Sequence, residues 1–380
     1  MFNVIITGIA SFLTDMSSEM VYPLIPLYLT ALGAAPAVLG IIEGFAESTA
    51  SILKVFSGRF SDQLRRRKPI AILGYAGSTI GKVLLVLSGH WSMVFAGRMV
   101  DRLGKGVRTA PRDALIADSA PKDRRGAAFG LHRAMDTLGA AAGVVIAMLI
   151  IGALGRNLVR SDYRHIFLLS LIPAALGVAA LFFIRERRAP HKVRDLPRLS
   201  WKGLPSRLRW FLLVVGLFAL GNSSNQFMLL RARNLGMSVL AVLGAYLLYN
   251  VVYGLISYPA GHLSDRIGRK RLLVAGYALY GLVYVGFALT RRPAFIWPLF
   301  ALYGVYSALN EGLEKALVAD VAPAEHRATF VGLHATLVGI GLLPASLLAG
   351  GLWSLFGPQA PFWFGGALGL LAAAGLAIVL

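Results

Sequence analysis

The sequence contains no cysteine, which excludes disulfide bonds, thiolate metal sites and cysteine nucleophiles. Charged residues are also scarce: 15% of the 380 residues are Asp, Glu, Lys or Arg, whereas a soluble domain has about 25%. So few charges cannot cover a surface that faces water, and 57% of the residues are apolar. The composition therefore excludes a large soluble domain and indicates a protein that lies in a lipid bilayer.

Residues for enzymatic chemistry are few. The chain has seven histidines and no HExxH, GxSxG or phosphate-binding sequence. The best catalytic material is His132 and His334 with Asp118 and Asp320, but these residues repeat symmetrically in the two halves, at positions that suit a gate. We therefore predict no enzymatic activity, no metal and no cofactor. A sensor without transport activity remains an alternative.

Acidic residues are outnumbered: 18 Asp and Glu stand against 38 Lys and Arg, which gives a net charge of +20. On a soluble protein this excess would indicate a nucleic-acid partner. Here no basic run is interleaved with stacking aromatic residues. We expect cationic loops that contact anionic membrane lipid, and no nucleic-acid partner.

Twelve apolar stretches are long enough to cross a bilayer as helices, which need about 20 residues each. Strands are disfavoured, because the stretches exceed the roughly 10 residues of a barrel strand and do not alternate strictly. The first stretch has no basic region before it, so we expect a retained span and not a cleaved signal. The stretches lie at about 4–29, 36–60, 69–88, 91–117, 124–152, 164–184, 208–230, 238–261, 270–290, 293–319, 326–350 and 358–380.

Lys and Arg are concentrated in alternate connections. Those around 65–68, 122–125 and 266–271 are basic, whereas the connections on the other side, such as 351–358, are largely free of Lys and Arg. This asymmetry predicts that both termini are cytoplasmic and that the chain lies in the inner membrane. The basic, proline-containing segment 185–207 predicts a linker between two six-helix bundles. The predicted bundles comprise 1–184 and 208–380.

An internal repeat relates these two bundles. GRFSD at 58–62 recurs 203 residues later as GHLSD at 261–265, and ALIADSAP at 114–121 recurs 202 residues later as ALVADVAP at 316–323. Two homologous bundles that both begin on the cytoplasmic side imply a pseudo-two-fold axis along the membrane normal. Such an arrangement predicts a binding site between the bundles, near the midplane.

The loop between the second and third spans has the pattern G-x-x-x-D-R-x-G-R-K/R. The second half matches it fully, whereas the first half has Gln63 and Arg65 where Arg and Gly are usual. With these motifs the chain resembles the major facilitator superfamily over essentially its whole length, and within it the drug/metabolite proton-antiporter branch. The resemblance implies an all-α membrane fold, alternating access and a small-molecule substrate, and we expect a monomer. The matching residues are Gly58, Asp62, Arg66 and Arg67, and Gly261, Asp265, Arg266, Gly268, Arg269 and Lys270.

Acidic and basic residues near the inner ends of the helices predict a cytoplasmic gate. A carboxylate there can pair with Arg, or cap a helix N-terminus, in one orientation of the bundles and separate in the other. The alternative is that these charges only set the topology. The predicted gate residues are Asp62, Arg66, Arg112, Asp118, Asp265, Arg266, Arg269 and Asp320.

Carboxylates within the spans are costly and indicate function. Asp15 and Glu19 lie one turn apart on the first helix, so they share a face. Carboxylates close together in a low dielectric do not both stay ionised, which favours proton coupling. The alternative is a set of fixed ion pairs, such as Lys54 with Glu47 or Arg133 with Asp136. The predicted coupling residues are Asp15, Glu19, Glu43, Glu47 and Asp136.

The fourth helix carries a basic stripe, Arg98, Arg102, Lys105, Arg108 and Arg112, whose spacing keeps it on one face. The stripe favours an anionic or zwitterionic cargo, unless Asp101, Asp113 and other carboxylates neutralise it internally. Equivalent residues of the second half are mostly neutral. Lys82 is expected to extend outward, without a role. The predicted cargo-binding residues are Arg98, Arg102, Lys105, Asn222, Asn225, Gln226, Asn250 and Glu311.

The direction of transport has a weak signal in the fifth helix. Gly130, Gly139 and Gly143 keep part of a pattern common in antiporters of the superfamily, but Val144 replaces its proline. Small residues at this spacing also serve helix packing. We expect efflux by antiport. Proton-coupled uptake and the flipping of a lipid or amphiphile are the alternatives.

Overall fold

The structure, a computed structural model, describes residues 2–64, 66–121, 124–155, 158–186, 206–321 and 327–379. Every regular element in these ranges is helical, with fourteen α-helices and two short 3-10 turns. The first and seventh spans each consist of two helices, so the fourteen helices form twelve spans. The predicted twelve-helix membrane fold is confirmed. The side of the membrane on which the termini lie stays a prediction.

The chain divides into two compact units, and the first comprises Met1–Ala34 and Phe45–Arg194. Its first span is interrupted by the 3-10 turn Tyr22–Leu24, where a proline stands at the first turn. The other spans of this unit are single helices. The seven helices of this unit, including the two of the first span, are Phe2–Val21 (α1), Ile25–Ala31 (α2), Pro36–Leu64 (α3), Lys68–Leu87 (α4), Trp91–Ser119 (α5), Arg125–Leu154 (α6) and Arg160–Leu181 (α7).

The second unit comprises Ala35–Gly44 and Asp195–Leu380, so the first turns of α3 group with it. Most of the predicted linker 185–207 lies outside the described residues, and the domain boundaries stay a prediction. The helices of this unit are Ser206–Gly221 (α8), Gln226–Asn234 (α9), Val239–Ile267 (α10), Arg269–Leu289 (α11), Ile296–Val321 (α12), Arg327–Phe356 (α13) and Ala360–Val379 (α14), with the 3-10 turn Pro293–Phe295 before α12.

Glycines bring α4 and α5 into close contact within the first unit. A Cβ on Gly74 would lie 2.7 Å from the carbonyl oxygen of Gly104, and a Cβ on Gly81 would lie 2.6 Å from that of Gly97. Small residues at a crossing let two backbones approach, which is a common way to pack helices in lipid. The contact holds α5, with its basic stripe, against α4.

The seventh span is broken where the sequence predicts a continuous helix. α8 ends at Gly221, and the polar residues 222–225 separate it from α9. The backbone there is covered by protein: the amide of Ser224 donates to Ser346 Oγ at 3.3 Å, and the hydroxyl of Tyr280 donates to the carbonyl of Gly221 at 2.7 Å. Irregular backbone is tolerated at membrane depth where protein or a cavity surrounds it. The break places several predicted cargo-binding residues outside regular helix.

The loops between the second and third spans of the two units differ in length. In the second unit Gly268 alone separates α10 from α11, with a φ of 92° that glycine adopts without strain. In the first unit three residues, 65–67, separate α3 from α4. The helix ends before the loop, at 64 and 267, are therefore 203 positions apart, and the helix starts after it, at 68 and 269, are 201 apart. The sequence repeats on either side of the loop are 203 and 202 positions apart.

Nine spans within the described residues are long and apolar enough to cross a membrane, by length and composition. The other three, α3, α5 and α12, contain Asp, Glu, Lys or Arg residues along their sequences. These three helices hold most of the charges that the sequence predicts for the functional site.

Candidate functional site

The basic stripe of α5 lies against carboxylates of α3 and of α5 itself. Arg98 and Arg102 are buried, at 2% and 5% exposure. Glu47 Oε1 lies 3.7 Å from Arg98 Nη2 and 3.3 Å from Arg102 Nη1, and Asp101 Oδ2 lies 3.4 Å from a guanidinium nitrogen of each. Buried charges are stable in protein when they are paired in this way. Two of the predicted cargo-binding cations thus have carboxylate partners within the first unit.

Lys105 differs from the two arginines. Its side chain is exposed, and no ion pair involves it among the described residues. Glu47 and Asp15 both lie within electrostatic range of its ammonium group. Lys105 is therefore the most exposed of the five basic side chains of the stripe, and it lies beside acidic groups.

The two remaining arginines of the stripe contact α1 and α4. The guanidinium of Arg108 lies 4.3 Å from the centre of the Tyr75 ring, and its Nη1 donates to Ser78 Oγ at 3.0 Å. Arg112 donates to Asp113 Oδ1 at 2.9 Å. Cation–π contact and charge-assisted hydrogen bonds both stabilise a guanidinium away from water. These partners could not be read from the spacing of α5 alone.

The expectation that Lys82 extends outward is wrong. Lys82 is 2% exposed, and its Nζ donates to Ser17 Oγ at 2.7 Å and to Ser18 Oγ at 3.2 Å. The charge of Asp101 also acts on the ammonium group. Hydroxyl oxygens that accept from the ammonium group and a nearby carboxylate supply in the interior what a lysine would otherwise find at the membrane surface, so Lys82 belongs to the charged network of the first unit.

Asp15 on α1 and Asp136 on α6 are two of the predicted coupling carboxylates, and they lie near each other. They lie within electrostatic range of each other, and three basic residues of α5 also act on Asp15. Asp136 Oδ1 is buried and has no hydrogen-bond partner among the described residues, while His132 Nε2 lies 3.9 Å from it. Two carboxylates that approach in a low dielectric are stabilised by binding a proton.

A series of hydrogen bonds connects His132, beside Asp136, to Ser11 on α1 and Tyr75 on α4. His132 Nε2 lies 2.8 Å from Ser11 Oγ, and Ser11 Oγ lies 2.9 Å from the hydroxyl of Tyr75. Arg112 Nη1 also donates to Ser11 Oγ, at 3.5 Å. The chain offers hydrogen-bond partners for a proton beside Asp136.

The other predicted coupling carboxylates lie in different surroundings. Glu19 is partly buried on α1. Glu43 is fully buried, groups with the second unit, and accepts a hydrogen bond from Ser224 Oγ at 3.2 Å. The structure therefore brings Asp15 and Asp136 together and places Glu47 with the arginines and Glu43 at the broken seventh span.

Three of the neutral residues, Asn222, Asn225 and Gln226, lie at that break, whereas Asn250 lies on α10. Asn225 Oδ1 accepts a hydrogen bond from the hydroxyl of Tyr303 at 2.8 Å. Gln226 is fully buried, whereas Asn222 is partly buried. Asn250 donates to the backbone carbonyl of Tyr246 at 3.0 Å, one turn back on α10. The predicted residue Glu311 has its side chain outside what the structure describes.

A cluster of tyrosines in the second unit was missed by the sequence reasoning. The rings of Tyr280 and Tyr284 are 4.1 Å apart, those of Tyr303 and Tyr306 are 5.1 Å apart, and Tyr249 lies 5.4 Å from Tyr303. The available signal was their spacing, with Tyr280 and Tyr284 four residues apart on α11 and Tyr303 and Tyr306 three residues apart on α12. Tyr303 links the cluster to Asn225, and each ring of the cluster is polarisable and carries a hydroxyl.

Arginines next to the loop between the second and third spans contact the fourth span of the same unit. Arg67, and not its exposed neighbour Arg66, pairs with Asp118 and donates to the carbonyl of Ala114 at 2.9 Å. Arg269 donates to the carbonyl of Ala316 at 2.9 Å, so the two contacts are equivalent in the two units.

Other gate residues have no such contact to describe. Arg266 is exposed. The side chains of Asp62, Asp265 and Asp320 lie outside what the structure describes. The gate stays a prediction.

The glycines of the fifth-span pattern have a packing role. A Cβ on Gly139 would lie 2.3 Å from the carbonyl oxygen of Phe12, and a Cβ on Gly143 would lie 2.2 Å from that of Met16. Gly130 has no atom within 4 Å of such a Cβ. Two of the three glycines are therefore needed for the contact of α6 with α1.

Twelve spans in two repeated units, with charged and polar side chains in the interior of each among the described residues, define a polytopic membrane protein. The sequence profile of the Major Facilitator Superfamily matches residues 7–249 and 211–380. The chain belongs to this superfamily.

Two relatives illustrate its relations within the family. The Uncharacterized MFS-type transporter MJ1317 of Methanocaldococcus jannaschii is 39% identical, over 97% of this chain and 93% of its own. Multidrug resistance protein MdtH of Sodalis glossinidius is 24% identical, over 96% of this chain and 90% of its own. The protein is thus a secondary transporter and not an enzyme. Its bacterial and archaeal relatives indicate the inner membrane of the cell.

Solved structures confirm the fold. The nucleoside transporter NupG is similar with a TM-score of 0.82 and 12% identity, over 100% of this chain and 99% of its own. A D-xylose-proton symporter is similar with a TM-score of 0.78 and 17% identity, over 100% of this chain and 98% of its own. At such identities the likeness concerns the fold alone.

Proposed function

We propose that this chain is a proton-coupled transporter that exports a small organic solute, anionic or zwitterionic, by alternating access. The proposal depends on one observation: Asp15 and Asp136 lie inside the first unit, within range of each other and of basic residues. Carboxylates at membrane depth are typical of proton pathways in transporters. Protonation changes the charge of the site, and a ligand shifts a conformational equilibrium when its affinity for the two states differs.

The charge of the proposed cargo follows from Lys105. Arg98 and Arg102 have carboxylate partners, whereas Lys105 is exposed and has no ion pair among the described residues. An ammonium group binds a carboxylate or phosphate as a point charge. Asp15 acts on the same region and would attract an ammonium group of the cargo. This pairing supports a zwitterion above a simple anion.

The broken seventh span supports a cargo site in the second unit. Discontinuous helices in transporters commonly form substrate sites, because they expose backbone groups at membrane depth. Asn225 and Tyr303 supply an amide and a hydroxyl there. We propose that Asn222, Asn225, Gln226, Asn250 and Glu311 contribute to binding, with the tyrosine cluster as an aromatic surface.

Export is the proposed direction. MdtH is named a multidrug resistance protein, and such a name describes removal of toxic compounds. The fifth-span glycines add little, because two of them are required by packing.

The proposal is tested with purified protein in liposomes under an imposed pH gradient. The probes are matched dansyl derivatives that carry a carboxylate, an amine or both. We expect the gradient to concentrate the zwitterionic probe, and D15N and D136N to lose concentrative transport while they keep exchange of the probe. D162N is the control, because Asp162 only caps the start of α7 by accepting from the amide of Val159.

Three outcomes would contradict the proposal. Concentrative transport that is unaffected in both variants removes the coupling role of Asp15 and Asp136. Probe accumulation in the direction of proton flow indicates an uptake symporter. Flux of a fluorescent lipid without flux of any soluble probe indicates a flippase.

A further inference from the structure

Glu314 is a buried carboxylate of α12 that the site described above does not use. Its side chain is 12% exposed. The hydroxyl of Tyr277 on α11 donates to Glu314 Oε1 at 2.8 Å, and His334 Nε2 on α13 lies 3.0 Å from Glu314 Oε2. Three helices of the second unit thus converge on one carboxylate.

The surroundings of this carboxylate are aromatic. α8 contributes Phe211, which stacks on His334 with ring centres 6.3 Å apart, and Phe218, which stacks on Tyr277 at 4.0 Å. Among the side chains that the structure describes, Tyr306, on α12 itself, also lies within electrostatic range of Glu314. From α10, Tyr249 acts on Tyr306.

His334 is the single ion-pair partner of Glu314 among the described residues. The carboxylate therefore has no fixed cation to hold its charge there. Its charge depends on the proton occupancy of the site.

The equivalent position in the first unit carries the opposite charge. Tyr75, Arg112 and His132 stand 202 residues before Tyr277, Glu314 and His334. In the first unit a permanent guanidinium lies beside Asp113, and Ser11 bridges the histidine and the tyrosine. In the second unit a carboxylate bridges the histidine and the tyrosine directly. The repeat has kept the two flanking residues and has a carboxylate where the first unit has a guanidinium.

The geometry also limits where a proton binds. His334 Nδ1 is buried without a hydrogen-bond partner among the described residues, so an N–H at that atom would have no acceptor there. The neutral ring with its hydrogen on Nε2 satisfies the contact with Glu314 Oε2. An incoming proton is therefore better placed on Oε1, because the Tyr277 hydroxyl can turn and accept from it. One proton from water binds, the O–H bond on Oε1 forms, and the charge of Glu314 changes from −1 to 0.

We propose that Glu314, held by Tyr277 and His334, is a second coupling site that binds and releases one proton during the transport cycle. The inference rests on the proposed function, in that the cycle is coupled to protons. It assigns one proton-binding group to each unit: a carboxylate pair in the first, and a carboxylate with a histidine and a tyrosine in the second.

The test measures protonation directly and needs no substrate. Purified protein in lipid, with its glutamate carboxyl groups labelled with ¹³C, is titrated while infrared difference spectra are recorded. We expect a protonated-carboxyl band of glutamate that appears with pH and is lost in E314Q. H334Q and Y277F keep the band but move its midpoint, by about one pH unit or more. Y75F is the matched control, because Tyr75 is the equivalent of Tyr277 in the first unit, and it leaves the midpoint unchanged.

Size-exclusion chromatography of each variant establishes that it is folded, and H334Q and Y277F test the site with Glu314 intact. An unchanged spectrum in E314Q overturns the inference, as does a midpoint that neither H334Q nor Y277F moves. Failure of the proposed function is seen elsewhere, as the absence of pH-driven flux in the wild-type protein. The two failures are therefore distinguishable.

Discussion

Lys82 and Tyr284 occupy equivalent positions in the two units, 202 residues apart, and both are buried, at 2% and 1% exposure. The same relation holds between Asp101 and Tyr303. A lysine and an aspartate that act on each other in the first unit are thus replaced by two tyrosine rings, with centres 6.3 Å apart, in the second. The two units thus share a backbone repeat, but at these two positions the first unit has charged side chains and the second unit has aromatic rings.

Replacement of Lys82 by methionine should lower stability by about 1–3 kcal/mol, because it removes donors from two serines and a cation from beside Asp101. Thermal unfolding of the purified protein in detergent measures the effect. K54M is the matched control, because Lys54 is exposed on α3. An equal loss of stability in K82M and K54M would show that the buried contacts of Lys82 do not stabilise the protein.

Arg98 and Lys105 should separate structural from cargo-binding charges. R98A leaves Glu47 and Asp101 with one cation fewer in a buried network, and we expect it to cost about 3–5 kcal/mol of stability. K105A should leave stability within about 0.5 kcal/mol and weaken binding of the zwitterionic probe. Thermal unfolding and probe titration measure the two effects. A stable R98A variant with weakened probe binding would reverse the assignment.

Replacement of Tyr303 by phenylalanine removes the hydroxyl that donates to Asn225 at the broken seventh span. Loss of one such hydrogen bond is worth about 1 kcal/mol, so we expect the apparent affinity for the probe to fall about five-fold. Y258F serves as control, because Tyr258 is 85% exposed. Equal affinities in wild type and Y303F would remove Asn225 and Tyr303 from the cargo site.

The spans and the repeat could be predicted from the sequence, because the need to bury apolar helices of bilayer length leaves a strong pattern. The importance of the charges on α3 and α5 could also be predicted, because a charged side chain without a partner is costly in lipid. The partners themselves could not be predicted. Lys82 finds Ser17 and Ser18 on another helix, and single-helix periodicity contains no information about which faces meet.

The break of the seventh span and the tyrosine cluster show a second limit. Residues 222–225 include two serines and two asparagines, which favour irregular backbone, yet the apolar residues around them predict a continuous helix. Tyr277, Tyr280 and Tyr284 share one face of α11 by spacing alone. Such a stripe is as typical of a packed core as of a binding surface, so the sequence could not assign it.

Arg67 should be the residue that ties α4 to α5, and Arg66 should not. R67Q removes the pairing with Asp118 and the hydrogen bond to the carbonyl of Ala114, and we expect a loss of about 1–3 kcal/mol in thermal unfolding. R66Q, a neighbour with an exposed side chain, should change stability by less than about 0.5 kcal/mol. In the second unit R269Q should resemble R67Q, because Arg269 makes the equivalent contact with Ala316. A larger effect of R66Q than of R67Q would support the sequence-based prediction that Arg66 is the gate residue of this loop.

Gly139 should be intolerant of any side chain, whereas Gly130 should accept one. A methyl group at Gly139 would lie 2.3 Å from the carbonyl oxygen of Phe12, so G139A has to move α6 away from α1. We expect a loss of about 1–3 kcal/mol from such overpacking. G130A meets no atom within 4 Å and exchanges glycine for a better helix former, so we expect no loss of stability. Thermal unfolding of both variants measures the difference in stability. Transport of the probe by both variants shows whether a change in the α1–α6 contact also affects Asp15 and Asp136, the carboxylates on these two helices. Equal stability of G139A and G130A would mean that the glycines of the fifth span serve the transport cycle and not the packing of the resting protein.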